Sequence, residues 1–114
     1  MGKLSRLKGA ATEREIVHLH ERIGIHAERV PLSGAQRYQE NGEDVDAYIC
    51  GTDAAPAVCQ VKRFHGFRGT KGVMDALGDA DILFIRYDAE PGQQALPPTV
   101  VMPWATYERL LKRR

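Results

Sequence analysis

The stretch 44–63, DVDAYICGTDAAPAVCQVKR, decides the fold, because it holds two strand patterns joined by a turn. In its first half Val45, Ala47 and Ile49 alternate with Asp44, Asp46 and Tyr48. Successive strand side chains point to opposite faces, so the apolar set covers a core and the polar set faces away from it. Gly51, Asp53 and Pro56 interrupt the pattern, and residues 57–63 resume it. On that second strand Gln60 and Lys62 share a face for the same reason. Paired strands lie about 4.8 Å apart, so a turn-linked pair brings Asp46 opposite the Gln60–Lys62 region.

Upstream of this pair, Thr12-Glu13-Arg14-Glu15 fits a capping box that opens a helix, followed by Ile16, Leu19 and Ile23 at helical spacing. Gly24 is placed to end that helix. Residues 25–32 read as a strand, and 33–43 as a polar, glycine-bearing loop. Downstream, a basic loop leads to a short helix over about 72–78, and 82–87 is a continuous apolar run that reads as a buried strand. Residues 90–98 form a Pro/Gly loop, 99–102 a strand, and 103–112 a last helix with proline first, against which Trp104 is expected to pack. The order α-β-β-β-α-β-β-α predicts an α/β fold with a mixed five-stranded sheet flanked by helices. The connection 63–81 is long enough to cross between parallel strands.

A chain of 114 residues supports one core, so 1–114 is read as a single domain with a basic arm over about residues 1–11. An apolar fraction of 43% with 27% charged residues fits a globular protein. No apolar run approaches the roughly 18–20 residues of a membrane span, and no signal-peptide core opens the chain; a cytoplasmic protein is expected. Cys50 and Cys59 both fall in strand patterns and read as reduced core residues. The net charge of +1 says nothing about nucleic acid, but its distribution does. Acid-free basic clusters occur at Lys3, Arg6 and Lys8, at Lys62, Arg63, Arg68 and Lys71, and at Arg109, Lys112, Arg113 and Arg114. The acids gather at Glu40, Glu43, Asp44, Asp46 and Asp53, and again over 75–90. Such separation suits a protein that holds phosphates beside a cation, and also suits solvated surface charge.

The chemistry-bearing residues are few. Glu13, one turn from Ile16 and Val17, points to the sheet side of its helix. Oxygen ligands from Glu13, Asp46, the Gln60 amide and the Val61 carbonyl would suit a hard cation such as Mg²⁺, with Mn²⁺ able to substitute. Lys62 would orient the attacking water or neutralise phosphate charge. His18 and His20 lie about 200° apart on a helix and do not share a metal. His65 is a candidate for phosphate contact or proton transfer, beside the plainer reading of an exposed loop histidine. The glycine-rich 66–72 lacks the order of a phosphate-binding loop. Of Phe64 and Phe67, one is expected in the core and the other near bound bases.

Lys8-Gly9-Ala10-Ala11-Thr12-Glu13-Arg14-Glu15, then Arg29-Val30-Pro31-Leu32-Ser33-Gly34, then Val45-Asp46 and Val61-Lys62 resemble the archaeal-type Holliday junction resolvases, within the PD-(D/E)XK nucleases. The resemblance covers about residues 8–63 in the family's order and spacing. It implies a restriction-endonuclease-like core and metal-dependent cleavage of branched DNA, most often four-way junctions. It puts the family's catalytic roles on Glu13, Asp46, Gln60 and Lys62, with Ser33 as a further functional residue. A homodimer is expected, since a junction presents two equivalent strands. Backbone contacts are expected from Lys3, Arg6, Lys8, Arg29, Arg37, Arg63, His65, Arg68 and Lys71. The family's usual glutamate is Gln60 here, which removes a charge from the metal site; Glu43 and Asp44 are the nearby acids able to supply one. The other readings are an endonuclease acting on duplex or flap DNA, a DNA-binding module that does not cut, and a structural subunit.

Overall fold

The structure is a computed structural model that describes residues 3–30, 44–66 and 68–113, with side chains from residue 9 onward. It contains α1 (Lys3–Arg22), β1 (Ala27–Arg29), β2 (Val45–Ala47), β3 (Ala57–Phe64), α2 (Thr70–Leu77), β4 (Ile82–Tyr87), β5 (Thr99–Val101) and α3 (Trp104–Arg113). The five strands form one sheet in sequence order. Three neighbour pairs are antiparallel, and β3–β4 is parallel, with α2 as the crossover. The expected α/β architecture with a mixed five-stranded sheet is therefore present, in the expected order of elements.

Alternation along the strands divides the core in two. Val45, Ala47, Ala57, Cys59, Val61, Ile82 and Phe84 pack with Ile16 of α1 on one face. Phe64, Leu83 and Ile85 pack with Leu77 and Ala80 at α2 on the other. At β4 both faces are covered, which explains its uninterrupted apolar run. Asp81 ties the start of β4 to β3: its Oδ2 accepts from Val58 N, and its own N donates to Val58 O, both at 2.8 Å.

The first helix departs from expectation. It begins at Lys3, so Thr12 lies in its middle and the basic arm forms its opening turns. Lysine, leucine, arginine and alanine over 3–11 are good helix formers, and a local capping pattern does not stop a helix that can propagate through them. The Thr12 side chain, 2% exposed, has a tertiary partner instead: its Oγ1 accepts from Arg63 Nη1 at 3.0 Å. The far end behaves as expected. Gly24 takes φ +84°, Gly24 N donates to Glu21 O and Ile25 N to His20 O, the paired bonds of a left-handed glycine cap. Ile23 falls beyond the helix and is exposed rather than on its buried stripe. Of residues 25–32 the first strand takes Ala27–Arg29, with Ile25 used by the helix cap; Pro31 and Leu32 lie outside the described residues. The short helix begins two residues earlier than expected, at Thr70. No helix among the described residues is long and apolar enough to cross a membrane.

Candidate functional site

The register of β2 on β3 sets the geometry. Asp46 stands opposite Val58, and Val45 opposite Cys59. Since Val45, Cys59 and Val61 pack under α1, Asp46, Gln60 and Lys62 project from the other face of the sheet. Asp46 and Gln60 are diagonal neighbours there. Lys62, one pleat further along β3, is exposed, while Asp46 and Gln60 are half-buried.

Asp44 has a backbone role: its Oδ2 accepts from Val61 N at 2.9 Å, and its own N donates to Cys59 O. Backbone groups of alternate strand residues turn to alternate neighbours, so the Val61 carbonyl faces the same side as its N–H, next to Asp44. The expected carbonyl ligand thus borders Asp44, past the last β2–β3 pair. Cys59 lies just behind this group. Burial, followed by the negative charges of Asp46 and Asp81, pushes its thiol up to about 12. Cys50 and Cys59 are both free thiols, as expected.

Glu13 is elsewhere. Its side chain is buried, as its helical position predicted, but it lies between α1 and the opposite face of the sheet, where its Oε1 accepts from Arg29 Nε at 3.0 Å. Arg29 pairs in register with Val45, so it shares the α1-covered face. The structure puts Asp46, Gln60 and Lys62 on one face of the sheet and Glu13 across it, but Asp46 stands opposite Val58 rather than the expected Gln60–Lys62 region, and Lys62 lies four residues further along β3. Among the described residues no three His, Cys, Asp or Glu side chains gather as a metal-binding group.

The expected backbone contacts are mostly engaged within the chain. Arg63 binds Thr12 and, through Nη2, Asp88 Oδ1. His65 Nδ1 is 3.2 Å from Asp88 Oδ2, Lys71 pairs with Asp75, and the Arg68 guanidinium lies 4.5 Å from the centre of the Phe64 ring. Phe64 is the core aromatic of its pair, and Phe67 lies outside the described residues. Ser33 and Arg37 also lie outside them, as do the side chains of Lys3, Arg6 and Lys8. His18 is exposed, and His20 donates from Nδ1 to Ile16 O at 2.7 Å with its ring edge-on to Phe84, so the two histidines do not converge.

Sequence reasoning missed Asp88. It joins Arg63 and His65 at the C-terminal ends of the parallel strands, beside a cavity of about 450 Å³ lined also by Arg86, Tyr87 and Glu90. Close by, Glu15 pairs with Arg86. The 25-residue separation of Arg63 and Asp88 hides this contact; only the parallel pairing of β3 with β4 could have revealed it.

No protein-family model, curated protein or solved structure matches this chain.

Proposed function

We propose that this chain is a metal-dependent, structure-selective DNA endonuclease with a restriction-endonuclease-like core, acting as a homodimer on branched DNA such as four-way junctions. The observation that supports it is the projection of Asp46 of β2 and of Gln60 and Lys62 of β3 from one face of the sheet, the last two just past the end of the β2–β3 pairing. A carboxylate, an amide oxygen and an ammonium ordered in this way are the groups that phosphodiester hydrolysis needs at one place.

The donors fit Mg²⁺ in kind. Asp46, Gln60 and the Val61 carbonyl offer hard oxygen ligands, and Mg²⁺ is commonly held by one or two carboxylates completed by water and substrate phosphate. Asp46 is the one carboxylate of this set, because Glu13 is engaged by Arg29 across the sheet. When bound, the cation would supply an activated water and a counter-charge for the phosphate. The chain's own contribution would be that Asp46 and Gln60 hold the ion, while the exposed Lys62 ammonium balances charge on the phosphate oxygens. Glu13 acts here as a positioning residue that clamps α1 to β1.

A second reading has specific support. Glutamine at position 60 and the Glu13–Arg29 ion pair both lower the negative charge available to a cation, as in a module that binds DNA without cutting it. Incubation of the protein with a labelled synthetic four-way junction and with the matching linear duplex, in Mg²⁺ and in chelator, separates the readings. Mg²⁺-dependent cleavage of the junction alone supports the resolvase. Cleavage of the duplex as well points to a less selective nuclease, and a gel shift without product in any metal supports the silent binder.

A further inference from the structure

The C-terminal ends of β3 and β4 carry a polar cluster that the Asp46 face does not use. Arg63, bound to the buried Thr12 hydroxyl, holds Asp88, and Asp88 Oδ2 lies 3.2 Å from His65 Nδ1. The Asp88 N–H is itself fixed on Phe64 O at 2.9 Å. The imidazole, 77% exposed, is thus tethered at one edge with the rest of its ring largely open. Two adjoining cavities of about 450 and 280 Å³ open beside it, and His65, Tyr87 and Glu90 line both. Alternation along the strands puts Arg63 and Arg86 on the α1 side, across the sheet from Gln60 and Lys62.

The two cavities differ in character. The larger is polar, with the Arg63 and Arg86 guanidiniums in its wall, each balanced by an acid, Asp88 and Glu15. The smaller is mainly apolar: Leu96, 56% exposed, lines it together with Tyr87, and Glu90 and Gln94 lie at its edge. Leu96 is held in place, because its carbonyl accepts from Arg86 Nη1 at 3.2 Å. Gln93 closes the same loop: its Oε1 accepts from Glu90 N, and its own N donates to Glu90 O. Tyr87 is fixed by an edge-on contact with Phe64, ring centroids 5.9 Å apart, and the Arg68 guanidinium covers the Phe64 ring.

We infer that these cavities receive one unpaired nucleotide of the DNA, its base against His65 and Leu96 and its phosphate toward Arg86. The inference rests on the proposed function for the DNA and narrows it to substrates with an unpaired residue at the branch. A nucleobase has apolar faces and a polar edge, and an apolar cavity edged by a carboxylate and an amide meets both. Glu90 can accept from a base amino group, and Gln94 offers a donor and an acceptor. A paired base has its faces stacked and its edge occupied, so only an unpaired one can enter. The space is of the size that holds small ligands. Charge is complementary as well: Arg63, Arg68 and Arg86 surround the strand ends, where a phosphodiester would run. His65 lies three residues beyond Lys62, about 10 Å along the chain, so one strand can contact both. The cavity of about 300 Å³ under α3, lined by Ile49, Cys50 and Leu110, lies at the other end of these strands and has no aromatic ring in its wall.

The test uses two four-way junctions that carry a fluorescent adenine analogue, paired within an arm in one and unpaired at the branch in the other. Each is titrated with the full chain in chelator, so that cutting plays no part. The junction with the unpaired probe should bind about ten-fold more tightly. Its emission should fall on binding, as the side chains stack on the base, while the paired probe stays unchanged. Leu96→Ala and His65→Ala, both at exposed side chains, should each reduce the preference to less than about three-fold. If either variant does not fold, the wild-type comparison of the two probes decides by itself. Equal affinity for the two junctions, an unchanged emission of the unpaired probe, or a preference that survives both substitutions overturns the inference. Cleavage in Mg²⁺ without preference for the unpaired probe sinks the inference and spares the nuclease. Capture of the unpaired probe with no product in Mg²⁺ does the reverse, and a chain that binds neither junction sinks both.

Discussion

Glu13 separates the two halves of the functional proposal, because the sequence makes it a metal ligand and the structure makes it the partner of Arg29. Consider Glu13→Gln. The carboxylate accepts from Arg29 Nε at 3.0 Å with side-chain exposures of 10% for Glu13 and 35% for Arg29. A hydrogen bond to a charged group contributes about 1.5–3 kcal/mol, and the access of Arg29 to water places this pair at the low end, about 1.5 kcal/mol. For 114 residues the unfolding entropy is about 0.24 kcal/mol/K, so the melting temperature should fall by about 6 °C. Thermal unfolding of Glu13→Gln, Arg29→Met and the double variant gives the coupling directly, and about 1 kcal/mol or more is expected between them. Half-maximal Mg²⁺ for junction cleavage should stay within about two-fold of wild type, since Glu13 is across the sheet from Asp46. A variant that melts like wild type yet needs far more Mg²⁺, or has lost cleavage altogether, would refute this placement of Glu13 and restore it as a ligand.

The remaining predictions concern the other face and the core behind it. Asp46→Asn and Lys62→Ala should each lower junction cleavage by about a hundred-fold or more. Lys62→Ala should leave the melting temperature within about 2 °C, because its side chain is exposed. Gln60→Glu should keep or raise cleavage and lower the Mg²⁺ needed for half-maximal rate, since it adds a charged ligand where the amide stands; loss of cleavage would give the glutamine a role of its own. Cys59 should resist thiol reagents in the native state at pH 8, while Cys50, half-buried beside the α3 cavity, reacts first. The folded thiol titrates at about 12 and the unfolded one at 9.0, so its contribution is complete below pH 9. Above that the unfolded chain releases the proton first, and stability should fall by about 1.4 kcal/mol per pH unit until the folded thiol also ionises. Denaturant midpoints from pH 8 to 10.5 for wild type and Cys59→Ala should therefore converge, and parallel curves would contradict the buried thiol.

Where side-chain alternation was the signal, the sequence was sufficient. The strand of 82–87, the apolar set of Val45, Ala47 and Ile49, and the common face of Gln60 and Lys62 all follow from a period of two, which the backbone imposes on any strand. The glycine cap at Gly24 was equally legible, because few other residues adopt that dihedral without strain. Thr12 shows where local reading stops: the same four letters that cap a helix also fit its interior when an arginine 51 residues away supplies the partner. Glu13 shows it again. Helical periodicity fixed that it points inward, but not which side of the sheet α1 would cover. That choice depends on strand register and on burying Ile16 against Val45 and Val61, contacts that exist only once the chain has closed on itself. The exposed Trp104, Tyr107 and Leu111 of α3 complete the pattern, since Trp104 does not pack this helix as expected. Their spacing is written in residues 104–111, while the side that turns inward is seen only in the structure, where Thr106 is buried, Leu110 lines a largely apolar cavity and Arg109 pairs with Asp81. Local periodicity is a property of the backbone, and orientation between elements is a property of what they bury together.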